Sequence, residues 1–241
     1  MPRTLKASVL QMTNLTPYEH NLDRLLTHLD ALKDQDIVLA PEVSMTDYDY
    51  EHLEAAAVFG EEVERVLCER VSDQVVGLTL LTRHADGRYT NDAVVIHDHR
   101  VVHRQSKHKL FALGEEDKHL VAGSVEGVRL FEIDGIRYGV LICFELRFKE
   151  LWRRLEGADV ILVPSQWGMP RKRHLEILAP ALAVMNQAYV LVANSAKETM
   201  AASSAIYSPS GGVVMDDMQE VISGEIDLGL LKKMRRYIVM R

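Results

Sequence analysis

Val140-Leu141-Ile142-Cys143-Phe144-Glu145-Leu146-Arg147-Phe148 is the stretch on which the reading of this chain turns. It opens as an apolar run without polar alternation, which predicts a buried strand. The run stops at Cys143, charged residues follow at once, and Glu150, Leu151, Trp152, Arg153, Arg154 and Leu155 continue with helical spacing. Cys143 is therefore expected at a strand-to-helix junction. There a side chain projects from the sheet edge, and the free N–H groups of the first helical turn point back at it. Those groups favour a thiolate and an oxyanion formed beside it. Taken alone, the stretch fits a small buried hydrophobe equally well, since free cysteine is among the most buried residue types.

The chain has 241 residues, enough for one large α/β domain with a substantial core. No linker, internal repeat or low-complexity segment divides it, so residues 1–241 are read as a single domain. Apolar residues make up 47% and charged residues 26%, the balance of a water-soluble globule. The net charge of -7 argues against nucleic acid or an anionic membrane surface as partner. No apolar run reaches the length of a membrane span, and Met1 to Gln11 lack the apolar block of a secretory signal. Two cysteines, Cys68 and Cys143, supply no disulfide framework, so a reducing cytoplasm is the expected setting.

Outward from the central stretch, Phe131 to Ile133 and Arg137 to Ile142 form a hairpin around Asp134-Gly135 that delivers Cys143. Earlier, Leu5, Ala7 and Val9 alternate as a first strand, and Leu22, Leu25, Leu26, Leu29 and Leu32 mark an amphipathic helix over Tyr18 to Lys33. Ile37-Val38-Leu39-Ala40 is a short buried strand ending in Pro41-Glu42. Glu61 to Ser72 reads as a helix holding Cys68 as packing, and Val75 to Thr82 as a strand. Asn91 to Ile96 and Val101 to Arg104 pair around a tight turn, then lead into Gln105-Ser106-Lys107-His108-Lys109. Ala112 to Gly123 reads as a loop over a site. Val160 to Val163 is a strand ending in Pro164-Ser165-Gln166-Trp167. A helix over His174 to Ala188, a strand over Tyr189 to Ala193, a hairpin at Gly211-Gly212 and a closing strand over Val221 to Ile226 complete the chain. Hairpins in some places and helical crossovers in others predict mixed sheets in an α/β fold. The basic tail with Lys232, Lys233, Arg235 and Arg236 is expected to be a solvated end or a subunit contact.

Three strand ends thus carry a reactive group: Glu42, Lys107 and Cys143. An acid directly after a buried strand lies where open α/β sheets place their sites. Each alone also reads blandly, Glu42 as a solvated loop acid and Lys107 as a solvated basic edge. Their joint order and contexts resemble the nitrilase, or carbon–nitrogen hydrolase, superfamily over essentially the whole chain, on its amidase branch. Pro41-Glu42 resembles the motif of the family's general base, Lys107 in Lys-His-Lys-Leu-Phe its lysine, and Cys143 in Cys-Phe-Glu-Leu-Arg-Phe its nucleophile. Glu116, seven residues before Gly123, falls where the family keeps a second, substrate-orienting glutamate. Asn91, Pro164, Trp167, Arg171, Asn186-Gln187, Asn194 and Pro209 also match the family pattern. The resemblance implies a four-layer α-β-β-α sandwich and a homodimer or higher homo-oligomer.

It also implies a mechanism that suits the residues. Glu42 takes the proton of the Cys143 thiol, and the thiolate attacks an amide carbonyl. Lys107 and the backbone N–H of Phe144 are the oxyanion donors, each type of donor being worth about 10²–10³ in rate. Ammonia or an amine leaves, and Glu42 activates water to release the acid from the thioester. No metal or organic cofactor is required. Tyr48, Gln166 and Trp167 are expected to shape the pocket. Arg147 and Arg171 are candidates to hold a substrate carboxylate, the plain alternative being that Arg147 pairs with Glu145 or Glu150.

Departures from the family pattern bear on the substrate. Leu182-Ala183-Val184-Met185-Asn186-Gln187 replaces a charged pair with apolar side chains, Ala202 stands where Gly is frequent, and Gln166 stands where Asn is frequent. The competing readings are an N-carbamoyl amino acid amidase resembling β-ureidopropionase, then a true nitrilase. Outside the family, His97, His99, His103 and His108 raise a metal-binding reading, although no carboxylate pattern completes a site.

Overall fold

The alternation of Leu5, Ala7 and Val9 becomes strand β1 (Thr4–Leu10) in the computed structural model, which describes residues 3–240. Helix α1 (Glu19–Ala31) follows and buries Leu22, Leu25 and Leu29, as the spacing predicts. Then come β2 (Ile37–Leu39), α2 (Leu53–Arg70), β3 (Val75–Arg83), β4 (Tyr89–His97) and β5 (Arg100–Ser106). After the short helix α3 (Glu116–His119) the chain runs through β6 (Phe131–Ile133), β7 (Ile136–Val140), α4 (Lys149–Arg154), β8 (Val160–Ser165) and α5 (Lys172–Asn186). It ends with β9 (Tyr189–Asn194), β10 (Ala205–Tyr207), β11 (Val213–Met215), β12 (Val221–Asp227) and α6 (Leu228–Tyr237).

Two 6-stranded sheets result, ordered β12-β1-β2-β3-β4-β5 and β11-β10-β9-β8-β7-β6. In the first, β1, β2 and β3 are mutually parallel and the remaining pairings are antiparallel. In the second, β7, β8 and β9 are parallel and the rest antiparallel. Each half therefore repeats strand–helix–strand–helix–strand–strand–strand, with a further strand on its outer edge. Parallel strands buried on both faces need only apolar residues, which are interchangeable, so the architecture repeats where the sequence does not.

Ile37 and Leu39 of β2 share a core with Val160 and Leu162 of β8, so the inner faces of the two sheets meet. Val38, Val76 and Leu78 face the other way and pack under Leu25 of α1 and Val63 and Leu67 of α2. Leu151 of α4 and Leu175, Ala179 and Leu182 of α5 close the second sheet from its outer side. The layers are thus helix, sheet, sheet, helix, as expected, with both sheets mixed.

Three elements differ from the sequence reading. Helix α2 starts at Leu53, eight residues before the expected Glu61, and its added turns bury Ala56, Ala57, Phe59 and Gly60. Gly60 has a packing reason, since a Cβ there would come within 2.9 Å of the Leu81 carbonyl on β3. The helix expected after Cys143 is divided into a 3-10 turn over Cys143–Arg147, an extended Phe148, and α4. The expected loop Ala112 to Gly123 holds a 3-10 turn and α3. The basic tail is helical, and Arg235 bonds to Asp159 and to the Gln187 carbonyl.

Candidate active site

Glu42, Lys107, Cys143 and Gln166 lie just beyond the carboxyl ends of β2, β5, β7 and β8. Each backbone is aimed by a local device. Val43, after Glu42, has φ 43, a strained setting for a β-branched residue, and its N–H is held by Thr79 Oγ1 at 2.7 Å. Cys143 itself has φ 46, a sharp elbow between strand and turn. In that turn the first amide to bond back is Glu145 N–H, to the Ile142 carbonyl at 3.0 Å. Phe144 N–H therefore lies among the free donors of the turn's start, beside the thiol.

Lys107 has 0% exposure and Glu42 1%. Lys107 Nζ is 2.7 Å from Glu42 Oε1 and 2.7 Å from Glu116 Oε1. Glu42 Oε1 also accepts from Tyr48 Oη at 2.6 Å and Asn91 Nδ2 at 2.9 Å, while its Oε2 accepts the Gln166 N–H at 3.0 Å. Glu116 Oε2 accepts the Phe111 N–H at 3.1 Å. Burial works against the Lys107 ammonium, yet the Glu42 and Glu116 carboxylates outweigh it and hold its pKa above the ordinary value. One ammonium thus serves two carboxylates, and burial pushes Glu116 upward. Burial first, then the Glu42 charge, raise the Cys143 thiol well above its usual value, with Lys107 and the Gln166 N–H pulling the other way. The resting thiol is therefore protonated, and forming a thiolate requires a neighbouring base.

Gln166 turns its side-chain amide to Asp47, whose Oδ1 accepts from Nε2 at 2.7 Å, and Lys197 Nζ clamps the other oxygen of Asp47 at 2.8 Å. Trp167 is fixed by its N–H to Asn194 Oδ1 at 2.7 Å and its ring N–H to the Arg171 carbonyl at 2.7 Å. A cavity of about 370 Å³ opens over Cys143, walled by Tyr48, Glu116, Phe144, Gln166 and Trp167 and joined by Arg147 and Arg171. Arg147 lies 4.8 Å above the Trp167 ring and Arg171 5.0 Å from the Phe111 ring. Burial, then the charge of Arg171, lower the pKa of Arg147.

Of the residues singled out in the sequence, Glu42, Tyr48, Glu116, Cys143, Phe144, Arg147, Gln166, Trp167 and Arg171 line this cavity, Lys107 lies buried behind it on Glu42 and Glu116, and Asn186 and Gln187 lie elsewhere, on the Trp152 and Ile238 carbonyls. Two expectations change in detail. Tyr48 spends its hydroxyl on the buried ion cluster. Arg147 pairs with neither Glu145 nor Glu150: Glu145 accepts backbone N–H groups and Glu150 pairs with Lys109, whereas Arg147 meets His174 Nδ1 at 3.0 Å. Asp47, Thr79 and Lys197 escaped the sequence reading, because no motif or spacing marks a residue whose partner is distant in the chain.

The metal reading of the four histidines fails. His97 bonds the Gln74 carbonyl, His99 the Cys68 carbonyl, His103 Gln105 and His108 the Gly123 carbonyl. Among the described residues no three ligand-type side chains gather as a metal site. No described helix is long and apolar enough to cross a membrane.

The family model for carbon-nitrogen hydrolases matches residues 6–236. The chain is 29% identical over 208 residues to the 2-oxoglutaramate amidase of Bacillus subtilis (strain 168), covering 81% of this chain and 80% of that protein. It is 27% identical over 193 residues to an omega-amidase of Yersinia enterocolitica, covering 79% and 74%. The fold matches that of XC1258, a CN-hydrolase superfamily protein from Xanthomonas campestris, with a TM-score of 0.86 at 22% identity over 98% of this chain and 95% of that one. With a match spanning nearly its full length, the chain belongs to the carbon–nitrogen hydrolase family and is an enzyme that hydrolyses non-peptide C–N bonds of amides.

Proposed function

We propose that the enzyme hydrolyses the primary amide of a small carboxylic acid, an ω-amide, through a thioester on Cys143, and releases ammonia. One observation carries the choice of substrate. Arg147 and Arg171 both line the cavity over Cys143, and neither is paired with a carboxylate among the described residues. Two adjacent guanidinium groups repel, and a substrate carboxylate relieves that repulsion while accepting a bidentate pair of hydrogen bonds. The names of the relatives, an amidase of 2-oxoglutaramate and an omega-amidase, support the same class.

In this reading Glu42 Oε2 takes the thiol proton, since Oε1 already has three donors. The thiolate attacks the amide carbon, and the carbonyl oxygen becomes an oxyanion beside Lys107 and the Phe144 N–H. The protonated Glu42 gives its proton to the amide nitrogen as the C–N bond breaks, so ammonia departs from a neutral site. Water then loses a proton to Glu42 and attacks the thioester, and the Cys143 sulfur leaves and regains that proton. The second product is the dicarboxylic acid. Both cysteines are free, as suits a thiol enzyme in a reducing cytoplasm. A homodimer is part of the proposal, and the exposed Ile177, Val184 and Met185 on α5 offer an apolar face for it.

The test is an ammonia-release screen across ω-amides of dicarboxylates, N-carbamoyl amino acids, neutral aliphatic amides and nitriles, with carbon dioxide measured in parallel. Ammonia alone, fastest from the ω-amides, is the expected outcome. Carbon dioxide released with ammonia from N-carbamoyl substrates at higher kcat/KM would replace this reading with the carbamoyl amidase.

A further inference from the structure

Tyr48 has one hydroxyl proton and two carboxylates to give it to. Its oxygen lies 2.6 Å from Glu42 Oε1 and 2.9 Å from Glu116 Oε1. The same oxygen is reached by two donors, Asn91 Nδ2 at 3.0 Å and Lys107 Nζ at 3.2 Å. A phenol donates a single proton and accepts through its lone pairs. With Asn91 and Lys107 supplying donors, the O–H must choose between the two acids. The single charge of Lys107 balances only one of them, so the choice affects which carboxylate is the easier to protonate.

We propose that Tyr48 is a positioning residue that sets the proton affinity of Glu42: its hydroxyl serves Glu42 while that carboxylate is ionised and turns to Glu116 once Glu42 holds the proton of Cys143. No O–H bond breaks at Tyr48. The hydroxyl rotates between two acceptors, and the proton transferred runs only between the Cys143 sulfur and Glu42 Oε2. The proposal rests on the assignment of Cys143 as nucleophile and Glu42 as base. The groups facing Tyr48 are Glu42, Glu116, Lys107 and Cys143, with the Tyr50 ring 5.6 Å away. Burial, then the charges of Glu42 and Glu116, raise the pKa of Tyr48, so it keeps its proton through the neutral range.

This arrangement gives the base two states at little cost. While Glu42 is ionised, Tyr48 is one of four donors to its carboxylate, with Asn91, Lys107 and the Gln166 N–H. As the proton moves to Glu42, the hydroxyl follows the remaining negative charge to Glu116, and the lost hydrogen bond is replaced by another of similar length. Asn91 holds the phenol oxygen in place throughout, since its Nδ2 spans Glu42 Oε1 and Tyr48 Oη.

The test reads alkylation of Cys143 by iodoacetamide as a function of pH, which needs no substrate. Tyr48→Phe keeps the ring and removes the donor. Its acidic midpoint is expected to move up by about one pH unit, the size of one hydrogen bond lost to a charged group. In Glu116→Gln the hydroxyl has a single anionic acceptor and a negative charge is gone, so the midpoint moves down. Site-specific 3-fluorotyrosine in place of Tyr48 is a stronger donor and also moves it down, which keeps the test open if Tyr48→Phe folds poorly. An unchanged midpoint in folded Tyr48→Phe, or an upward shift with fluorotyrosine, overturns the proposal. A wild type that shows this pH profile but turns over no amide would count against the substrate reading alone.

Discussion

Glu145 joins the two halves of the site through His108, whose backbone N–H reaches Oε1 of the Glu145 carboxylate at 2.6 Å. The other oxygen accepts the Ile142 N–H at 2.7 Å. One buried carboxylate thus ties the residue after Lys107 to the residue before Cys143. Burial raises its pKa, while the backbone donors favour the ion. Glu145→Gln puts an NH₂ group where one of those N–H groups must be accepted, leaving two donors facing each other. Since a misplacement of about 1 Å can cost about 10² in rate, we expect kcat to fall at least about tenfold with KM little changed. Steady-state kinetics on the variant, alongside its thermal midpoint, checks this, and an unchanged kcat contradicts the role.

The nucleophile assignment separates the two cysteines. Cys143 faces the cavity, whereas Cys68 lies half-buried on α2 and does not line it. Iodoacetamide is expected to label Cys143 and abolish turnover, Cys143→Ala to be inactive, and Cys68→Ala to retain activity. Peptide mass mapping after labelling identifies the site, and an active Cys143→Ala variant contradicts the assignment.

Glu42→Gln removes proton acceptance while an amide oxygen can still receive Lys107, Tyr48 and Asn91. Its nitrogen, however, would meet the Gln166 N–H where Glu42 Oε2 now accepts it at 3.0 Å. We expect a folded protein with a lower thermal midpoint and turnover reduced by at least about 10², the lower end for general-base catalysis. Ammonia release at neutral pH measures the loss, and near-normal turnover would move the base role to Glu116.

The sequence carried the strand ends and little of what lies between them. Cys143 is legible because an apolar run ends on it, and Glu42 and Lys107 because each follows a strand directly. Tyr48 is legible as a pocket residue, yet its bond to Glu116 spans 68 positions and leaves no periodic trace. The Lys197–Asp47 clamp spans 150 positions and is less visible still. The start of α2 is hard to read because Gly60, a poor helix former, sits inside the helix for its close approach to β3, a contact that local pattern does not show. What was missed are close approaches and long-range polar pairs, which depend on three-dimensional placement and not on local pattern.

His103 predicts an acid-side loss of stability. It is buried, stacked 4.1 Å from Phe131, donates Nε2–H to Gln105 at 3.0 Å, and leaves Nδ1 without a partner. Burial lowers its pKa from the ordinary 6.5. The unfolded chain then binds a proton that the folded one refuses, so stability is undiminished above about pH 6.5 and falls as the pH drops from there toward the folded value. The slope from this one group is at most about 1.4 kcal/mol per pH unit. His103→Gln keeps a donor for Gln105 and cannot titrate. Urea unfolding of both proteins between pH 5 and 8 should show a shallower acid-side decline in the variant, and parallel curves would rule the histidine out.

The last prediction concerns the two cavity arginines. If they hold a substrate carboxylate, its loss should be felt in binding energy applied far from the scissile bond. The methyl ester of the preferred ω-amide keeps the reacting amide and loses only the distant charge, so its kcat/KM should fall by about 10² or more, in line with the removal of a bidentate charged contact. Arg171→Lys and Arg147→Lys keep the positive charge but not the planar fork, and Lys cannot stack on Phe111 or Trp167 in the same way. Each should lose activity on the acidic amide while leaving the slow turnover of a neutral amide nearly unchanged. That selectivity separates carboxylate recognition from a structural role, because a collapsed pocket wall would depress both substrates together. It also separates the arginines from the reacting groups, whose loss lowers kcat for every amide. Neutral aliphatic amides turning over as fast as acidic ones in the wild type would refute carboxylate recognition, while leaving Cys143, Glu42 and Lys107 to hydrolyse an amide of another kind.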